Sequence, residues 1–464
     1  MKNIIYAFLM TAFLAGCGDD YVTLLPYGKT IPENTDDLAQ MLNVTNDINS
    51  GGGNFGNQSD DVVIPEFLIP RSSVSTMNAY TWQDYMYQEN EQDADWVDYY
   101  KTISRANFVI DNLDSYEEGT MYDIEDTRGR AHFIRANAFF YLVNGYAKHY
   151  NAGTASSDLG VPVPLAMDIN VLTPRSTVQE VYDLILSDLD VALDALPDNP
   201  KHRTFAGKAA VHGLLGRLYL YQENYELSAE HSKKSLDFYS TLKDYNEIMY
   251  AVDNGDGDPA TGNSAMGIIN FDNNKLSNPE NIYVNEQGWY RTELYLSSEL
   301  VALFDPATDM RYWYFMSDED PYGAPVPDGY YIATNDGQQP WSGIKTPEVL
   351  LNYCEALMKQ ATPNSNEAVS YLNMLREKRY YAASYSPYVH VDDATTLAEI
   401  MIERRKELRL TAWRWFDMKR LGLSHSRTVN GETFTISASS DNYMWAIPLN
   451  VIAINPLEQN PRGL

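Results

Sequence analysis

The 464-residue sequence predicts an all-α protein in which a superhelix of paired helices packs against a loop-rich region with few short strands. Two observations predict this class. Helical patterns fill two blocks of the chain, whereas Gly, Pro, Asn and Asp interrupt the stretch between them. In the first block, residues 209–236 carry small and aromatic residues at the spacing of two antiparallel helices, which is the spacing of a tetratricopeptide repeat.

The chain begins with a targeting segment over residues 1–16. Lys2 supplies a positive charge, and residues 4–14 form an apolar run that is too short to cross a bilayer. Leu14-Ala15-Gly16-Cys17 then matches a bacterial lipobox, at which Cys17 is lipidated and becomes the new N-terminus. An ordinary secretory signal with an incidental cysteine is the alternative. No other stretch is apolar enough to span, so we expect a mature protein that is anchored to a membrane by lipid.

Residues 17–243 form the N-terminal helical block. Two long helices are predicted over residues 93–113 and 128–150. Thr177 and Glu180 have the spacing of a capping box that opens a helix to about Leu196, and Thr204 is expected to begin the next one.

The repeat pattern lies in the next segment, residues 209–236. Leu215-Gly216 and Tyr219 precede a turn at residues 223–225, and small Ser228 and Ser235 follow. A weaker copy begins at residues 346–348 with a cap and first turn, places Ala356 at the small position of its first helix, and has Ala368, Leu372 and Leu375 along its second. Such helices cannot bury their apolar faces alone, so several pairs must stack. Plain helical hairpins would give nearly the same all-α body.

Two further segments complete the chain. Residues 244–345 form a loop-rich insert, and long inserts on a rigid helical scaffold often carry binding sites. Residues 346–464 form the C-terminal helical region, with a helix over residues 396–421 opened by a Thr396 and Glu399 capping box. From Gly422 onward the tail is predicted to contain turns.

Composition excludes several functions. The 34 Lys and Arg against 64 Asp and Glu give a net charge of −30, which repels nucleic acid. The sequence has no nucleotide-binding glycine motif, no hydrolase serine motif and no zinc-protease motif, and its seven histidines do not pair at metal-ligand spacing. Asp253, Asp256 and Asp258 could hold calcium, but their spacing departs from the EF-hand pattern and favours a solvated turn. We therefore predict no cofactor.

Residues 403–420 combine charges and aromatic rings in one run, Glu-Arg-Arg-Lys-Glu-Leu-Arg followed by Trp-Arg-Trp-Phe-Asp-Met-Lys-Arg from Trp413. Glutamates one helical turn apart among the arginines indicate a structural role. We expect the rings to pack inward and the cations to pair with the acidic body of the protein.

This run resembles the conserved helix of the SusD/RagB family of outer-membrane nutrient-binding lipoproteins from Bacteroidota. The lipobox, the helices after Trp96 and Arg130, the 209–236 repeat and the segment Trp445 to Pro448 occur in the family's order. The resemblance implies four tetratricopeptide units packed against an irregular ligand-binding region. It also implies a lipoprotein on the outer membrane that sits as a lid on a SusC-type TonB-dependent transporter and carries out no bond chemistry.

The ligand-binding residues are predicted from exposed aromatic rings, because flat rings cover the C–H patches of sugars while polar neighbours bind hydroxyls. Trp96, Trp413, Trp415 and Trp445 are assigned to the core. The predicted binding residues are Trp82, Tyr85, Trp289, Tyr290, Arg291, Trp313, Tyr330, Tyr331 and Trp341. The alternative for each is a ring folded under its own loop.

The predicted function is binding of a glycan at the cell surface and its delivery to the transporter. The same scaffold binding peptides or another nutrient is the first alternative. A glycan-cleaving enzyme is the second, and the family resemblance disfavours it.

Overall fold

Helices dominate the computed structural model, which describes residues 32–43, 55–165, 171–249, 278–285, 295–319, 325–333 and 343–463. The helices before the insert are α1 (Thr35–Met41), α2 (Val74–Tyr80), α3 (Ala94–Asn112), α4 (Ile124–Tyr146), α5 (Val178–Ala195), α6 (Lys208–Tyr221) and α7 (Tyr225–Phe238), and α8 (Tyr245–Met249) lies at the start of the insert. The later helices are α9 (Ser298–Val301), α10 (Arg311–Phe315), α11 (Thr346–Lys359), α12 (Ser365–Glu377), α13 (Asp393–Glu407), α14 (Ala412–Arg420) and α15 (Leu449–Ile454). The predicted all-α class is confirmed.

The strands are short, and they pair only antiparallel. They are β1 (Val62–Val63), β2 (Leu159–Pro162), β3 (Arg175–Thr177), β4 (Asn281–Tyr283), β5 (Tyr295–Leu296), β6 (Met316–Ser317), β7 (Ile332–Ala333), β8 (Ile344–Lys345), β9 (His425–Val429) and β10 (Glu432–Ile436). Four of them form one sheet in the order β1-β5-β7-β6, so a strand from the N-terminal block joins three from the insert.

Neighbouring helices pack as antiparallel pairs, and the pair α6 and α7 confirms the predicted repeat. Gly216 allows these helices to approach closely: a Cβ atom there would lie 3.1 Å from the Ser232 backbone nitrogen. Ser228 Oγ donates to the Gly216 carbonyl oxygen at 2.8 Å. Helix α11 then packs against α7 and α12. The second predicted copy of the repeat therefore stacks on the first, although 107 residues separate Phe238 from Thr346.

Capping decides where several helices begin. Thr177 and Glu180 form the predicted capping box of α5, with the Thr177 side chain accepting from the Glu180 N–H at 3.1 Å. Asp93 caps α3, as the start at residue 93 predicts. The helix predicted from residue 128 begins earlier, at Ile124, because Asp123 accepts from the Asp126 N–H and supplies a cap.

The same helix ends at Tyr146 and not at residue 150, and three further predicted boundaries are also wrong. Thr204 does not begin a helix: its hydroxyl pairs with His202, and α6 starts at Lys208. The second repeat begins without a side-chain cap, because Lys345 occupies the N-cap position and Thr346 is already helical.

The capping box predicted at Thr396 is also absent. Asp392 caps α13 by accepting from the Thr395 N–H, and Glu399 pairs with Arg376 at 2.5 Å instead. The helix predicted over residues 396–421 is broken, because Leu410 adopts a φ of 59° and its N–H is held by Asp61 at 3.3 Å. Two helices result, α13 and α14.

In the run over residues 403–420 the rings pack inward and the cations pair with carboxylates, as predicted. Arg404 binds Asp417 at 2.7 Å, and Arg420 binds Glu355 at 2.6 Å. Burial on its own would raise the pKa of Glu355, but the charge of Arg420 and its hydrogen bonds hold that pKa well below its usual range.

Glu403 and Glu407 of the 403–420 run take part in ion pairs that connect the insert to the C-terminal helices. Arg311 is fully buried and binds Asp309, Glu403 and Glu407, while Arg379 joins Glu280 to Glu407. The ion pairs therefore connect three separate stretches of sequence.

The tail contains regular elements that the turn prediction missed, a hairpin and the short helix α15. Strands β9 and β10 form a regular hairpin, and Asn430 and Gly431 at its turn have φ values of 51° and 82°. Two successive residues with positive φ give the turn twist that tight hairpins need. The Asn430-Gly431 dipeptide is typical of such a turn and indicates the hairpin in the sequence.

Candidate functional site

An exposed group of aromatic rings lies beside the four-stranded sheet. It consists of Phe67, which is 46% exposed, and half-buried Tyr312, Trp313, Tyr330 and Tyr331. We call these five rings the aromatic face. The structure thus brings together three of the predicted binding residues, Trp313, Tyr330 and Tyr331, and adds two rings that were not predicted.

The sheet sets the positions of these rings. Tyr330 follows a turn in which its N–H donates to the Pro327 carbonyl at 3.1 Å, and Gly329 at φ 84° supplies the left-handed step. The Tyr331 carbonyl accepts from the Leu296 N–H at 2.9 Å and is thereby held against β5. A turn and a ladder bond therefore fix two neighbouring tyrosines on the sheet.

The rings make edge-to-face contacts within two sets, Phe67 with Tyr330, and Tyr312 with both Trp313 and Tyr331. Phe67 and Tyr330 have centroids 6.1 Å apart with an interplanar angle of 86°. Tyr312 lies 5.0 Å from Trp313 and 5.7 Å from Tyr331, and its hydroxyl pairs with that of Tyr331 at 2.7 Å. Because edge-to-face packing leaves ring faces uncovered, the group offers apolar surface in more than one direction.

Polar groups border the rings. Burial, the Tyr331 hydrogen bond and the nearby charge of Asp318 raise the pKa of Tyr312, so its hydroxyl keeps its proton at neutral pH. The Trp313 indole donates to the Pro306 carbonyl at 3.0 Å, which fixes the ring while part of its surface stays exposed. Apolar faces with neutral hydroxyls and an exposed carboxylate suit a ligand that has both C–H patches and hydroxyls.

Trp82 and Tyr85 lie elsewhere, at a cleft between residues 78–87 and 442–449. Trp82 is only 2% exposed, and its indole donates to the Gln58 carbonyl at 2.9 Å. Arg427 stacks over the same ring at 4.2 Å. In this conformation Trp82 supports the cleft wall and has no open face, whereas Tyr85 is 40% exposed at the cleft.

Other predicted residues lie outside the part of the chain that the structure describes. They are Cys17, Asp253, Asp256, Asp258, Trp289, Tyr290, Arg291 and Trp341. Their assignments stay predictions. The four tryptophans assigned to the core are confirmed: Trp96, Trp413, Trp415 and Trp445 are all at most 6% exposed.

Sequence reasoning missed Phe67 and Tyr312. Tyr312 stands in the run Arg-Tyr-Trp-Tyr-Phe over residues 311–315, where only the tryptophan was selected. The run was a usable signal, because a short helix with successive rings must expose some of them. Phe67 had no such signal, since it reaches the face from a different part of the sequence.

Among the described residues, one group has the composition of a metal site. Carboxylate oxygens of Asp60 and Glu299 and a ring nitrogen of His425 lie within 4.8 Å of one another. Both Asp60 oxygens already bind Arg414, at 2.7 and 2.6 Å, and Arg405 adds a contact at 3.3 Å. The arginines thus already supply the positive charge that a cation would bring.

No described helix has the length and apolar character that a membrane span requires.

Comparison with known proteins finds two family models that match the chain. A family model described as "Starch-binding associating with outer membrane" matches residues 30–220, and the SusD family model matches residues 248–456. Together the two models cover most of the chain.

Relatives and solved structures agree with the family models. A SusD-like protein of Formosa agariphila is 25% identical over 376 residues, covering 71% of this chain and 72% of the relative. A SusD-like protein of Bacteroides ovatus is 21% identical over 488 residues, covering 90% and 82%.

Among solved structures, a SusD superfamily protein of Bacteroides thetaiotaomicron gives a TM-score of 0.70 at 22% identity, covering 92% of this chain and all of that one. A structure from Bacteroides vulgatus named "Putative sugar binding protein" gives 0.69 at 20% identity, covering 93% and 99%.

The matching family consists of outer-membrane-associated, nutrient-binding proteins and not of enzymes. The chain belongs to the SusD/RagB family.

Proposed function

We propose that this protein binds a glycan at the cell surface and passes it, chemically unchanged, to a SusC-type TonB-dependent transporter. The observation that carries the proposal is the aromatic face. Five rings from two distant parts of the sequence form two contacting sets beside one sheet and stay partly exposed, although burying them would be favourable. Exposed rings beside hydroxyls are suited to the mixed surface of a sugar.

The comparisons support the ligand class. One matching family model is described as starch-binding, and one solved structure with this fold is named a putative sugar-binding protein. The tyrosine hydroxyls and Asp318 would bind sugar hydroxyls, while Trp313 and Phe67 would cover C–H surface. Trp289, Tyr290 and Arg291 are proposed to add contacts, because in sequence they lie shortly before strand β5 of this sheet. Trp341 is kept as a proposed contact from its sequence alone.

Affinity electrophoresis tests the proposal. The chain without residues 1–17 is run through gels that each contain one polysaccharide. We expect retardation by at least one glycan, and about tenfold weaker binding for Trp313→Ala or Tyr330→Ala, which corresponds to about 1.4 kcal/mol. Phe238→Ala is the matched control, because it removes a ring that is 38% exposed on helix α7 and should leave binding unchanged.

The outcomes separate the alternatives. Retardation by no glycan, together with binding of a peptide mixture, would replace the glycan with a peptide ligand. Release of reducing ends during incubation would contradict binding without bond chemistry. Equal loss of binding in Phe238→Ala would show that the aromatic face is not the site.

Anchoring and partnership are proposed from the sequence and the family. Lipid on Cys17 would hold the protein at the outer membrane, so Cys17→Ser should move it from the membrane fraction to the soluble fraction. A TonB-dependent transporter should co-purify with the lipidated protein from outer membranes. Membrane retention of the Cys17→Ser variant would refute lipid anchoring at this residue.

A further inference from the structure

Two histidines that are distant in sequence meet on the paired helices α6 and α7. His212 on α6 and His231 on α7 are 19 residues apart, so no local spacing marks them as a pair. In the structure their Nδ1 atoms lie 3.0 Å apart. Imidazole is the commonest metal ligand in proteins, and two ring nitrogens this close can bind one ion.

Neighbouring rings hold the two imidazoles in place. The Phe238 ring lies nearly parallel to His212, with centroids 5.8 Å apart and an interplanar angle of 13°. Tyr219 packs against His231 at 5.4 Å and 30°. The helices that carry the pair approach closely at Gly216, so their backbones are fixed relative to each other. The two ring nitrogens are therefore preorganised.

The Nδ1 atoms of the pair are not engaged by a carboxylate in the described part of the chain. Each bonds only the other, whereas His132 Nδ1 lies 2.6 Å from the Asp188 carboxylate. Burial, followed by the His231 charge, lowers the pKa of His212 to about 4, and burial also lowers the pKa of His231. Both rings are therefore neutral at pH 7. When the shared Nδ1 proton moves to Nε2 of the same ring, both Nδ1 lone pairs are free for a metal.

The separation of the two nitrogens selects the kind of ion. A metal about 2.0–2.1 Å from each of two nitrogens 3.0 Å apart would hold them at roughly 95°. Tetrahedral zinc prefers an angle of about 109°, which would place the nitrogens about 3.3–3.4 Å apart. Adjacent ligands of a square-planar or tetragonal ion meet at about 90°, which is the geometry of Cu²⁺ and Ni²⁺ with nitrogen and oxygen ligands. Of these two ions, Cu²⁺ generally binds more tightly.

Carboxylates beside the pair can complete the coordination. Glu230 and Asp190 are exposed, and the charges of both act on the pKa of half-buried His231, so they lie near its ring. Glu230 already binds Lys234 at 2.6 Å, whereas Asp190 has no ion pair among the described residues. An ion therefore reaches the pair from solvent on the side of His231. The net charge of −30 attracts cations to the protein.

We propose that His212 and His231 form a copper(II) site on the surface of the repeat, with both Nδ1 atoms as ligands. Asp190 and water molecules take the remaining positions. The ion connects α6 to α7, so its binding stabilises the folded protein against heat. The site is separate from the aromatic face and needs no glycan.

Isothermal titration of CuCl₂, ZnCl₂ and MgCl₂ into the metal-free chain without residues 1–17 tests the site. Glycine in the buffer competes for copper and keeps weak surface sites empty. We expect one Cu²⁺ to bind at least tenfold more tightly than Zn²⁺, and His212→Gln and His231→Gln each to weaken Cu²⁺ binding at least tenfold. His390→Gln is the matched control, because it removes a histidine that is 35% exposed on another segment and should leave the affinity unchanged.

Pulsed electron paramagnetic resonance keeps the test independent of folding, because it detects the ligands of Cu²⁺ in the unaltered protein. A coordinated imidazole gives a signal from its remote nitrogen, and two imidazoles on one copper give combination lines. We expect two imidazoles in the wild-type protein and in His390→Gln, and at most one in His212→Gln or His231→Gln. One equivalent of Cu²⁺ should also raise the melting temperature of the wild type more than that of His231→Gln.

Several results would overturn the proposal. Fewer than two imidazoles on copper in the wild-type protein would do so, as would undiminished affinity in both His212→Gln and His231→Gln. Equal loss in His390→Gln would show that the pair is not the ligand set. Tighter binding of Zn²⁺ than of Cu²⁺ would overturn the right-angle geometry and the choice of metal. None of these measurements involves a sugar, so the proposed glycan binding stands or fails separately.

Discussion

Arg217 offers the sharpest test of how this fold is held together. It lies on α6, is fully buried, and binds Glu348 of α11 through two hydrogen bonds of 2.6 and 2.7 Å. A third bond of 2.8 Å goes to the Gly343 carbonyl, and the guanidinium stacks on Trp413 at 3.7 Å. Burial alone would lower the pKa of Arg217, but the charge of Glu348 reverses this and raises it.

The perturbation is Arg217→Met. Methionine keeps most of the apolar contact with Trp413 and removes all three hydrogen bonds. Glu348, whose side chain is 2% exposed, would then keep only the amide of Asn352 at 3.5 Å. Breaking a buried ion pair from one side costs about 3–5 kcal/mol, because the remaining charge is uncompensated. We expect that loss in the free energy of unfolding.

Urea unfolding followed by tryptophan fluorescence and circular dichroism measures the loss. The double variant Arg217→Met with Glu348→Leu should recover most of it, because it removes the stranded charge as well. Lys234→Met is the control: its pair with Glu230 is about half exposed and should cost less than about 0.5 kcal/mol. A single-variant loss below about 1 kcal/mol, or a double variant no more stable than the single, would refute the reasoning.

Two further predictions concern the α6 and α7 pair. The ring nitrogens Nδ1 of His212 and His231 lie 3.0 Å apart, and burial followed by the His231 charge lowers the pKa of His212 to about 4. His212 therefore stays neutral in the folded protein at pH values where it binds a proton in the unfolded chain, so the stability should fall as the pH drops from about 6.5 toward 4. In thermal unfolding, His212→Phe should make this fall shallower. Equal pH dependence in the two proteins would refute the prediction. Gly216→Ala should cost about 1–3 kcal/mol in urea unfolding, because its Cβ would press on Ser232, whereas Gly153→Ala on a surface turn should cost much less; equal costs would contradict the close approach.

Local signals predicted those parts of the fold that depend on neighbouring residues. The capping box formed at Thr177 because Glu180 lies at the spacing at which each side chain bonds the other residue's backbone N–H, and the small residues at Gly216 and Ser228 predicted a close helix pair. At Thr396 the same pattern was misleading, because Asp392 lies four residues earlier and caps the helix first. A predicted capping residue can therefore lose its position to another capping residue nearby in the sequence.

The break at Leu410 could not be read from the sequence. It depends on Asp61, which lies 349 residues away along the chain and holds the Leu410 N–H. The aromatic face shows the same limit: composition found Trp313, Tyr330 and Tyr331, but Phe67 joins them only because β1 pairs with β5.

The buried ion pairs also bear on the ligand. Arg217, Arg311, Arg404 and Arg420 all lie inside the protein beside carboxylates, so these cations cancel acids within the fold and contribute little to the surface. The 64 acidic against 34 basic residues leave an excess of 30 acids, and this excess must fall largely on the outside. A polyanionic glycan would approach a repelling surface, whereas a neutral one would not. The same arginines that join the insert and the repeats to the C-terminal helices thereby leave a surface that favours uncharged sugars.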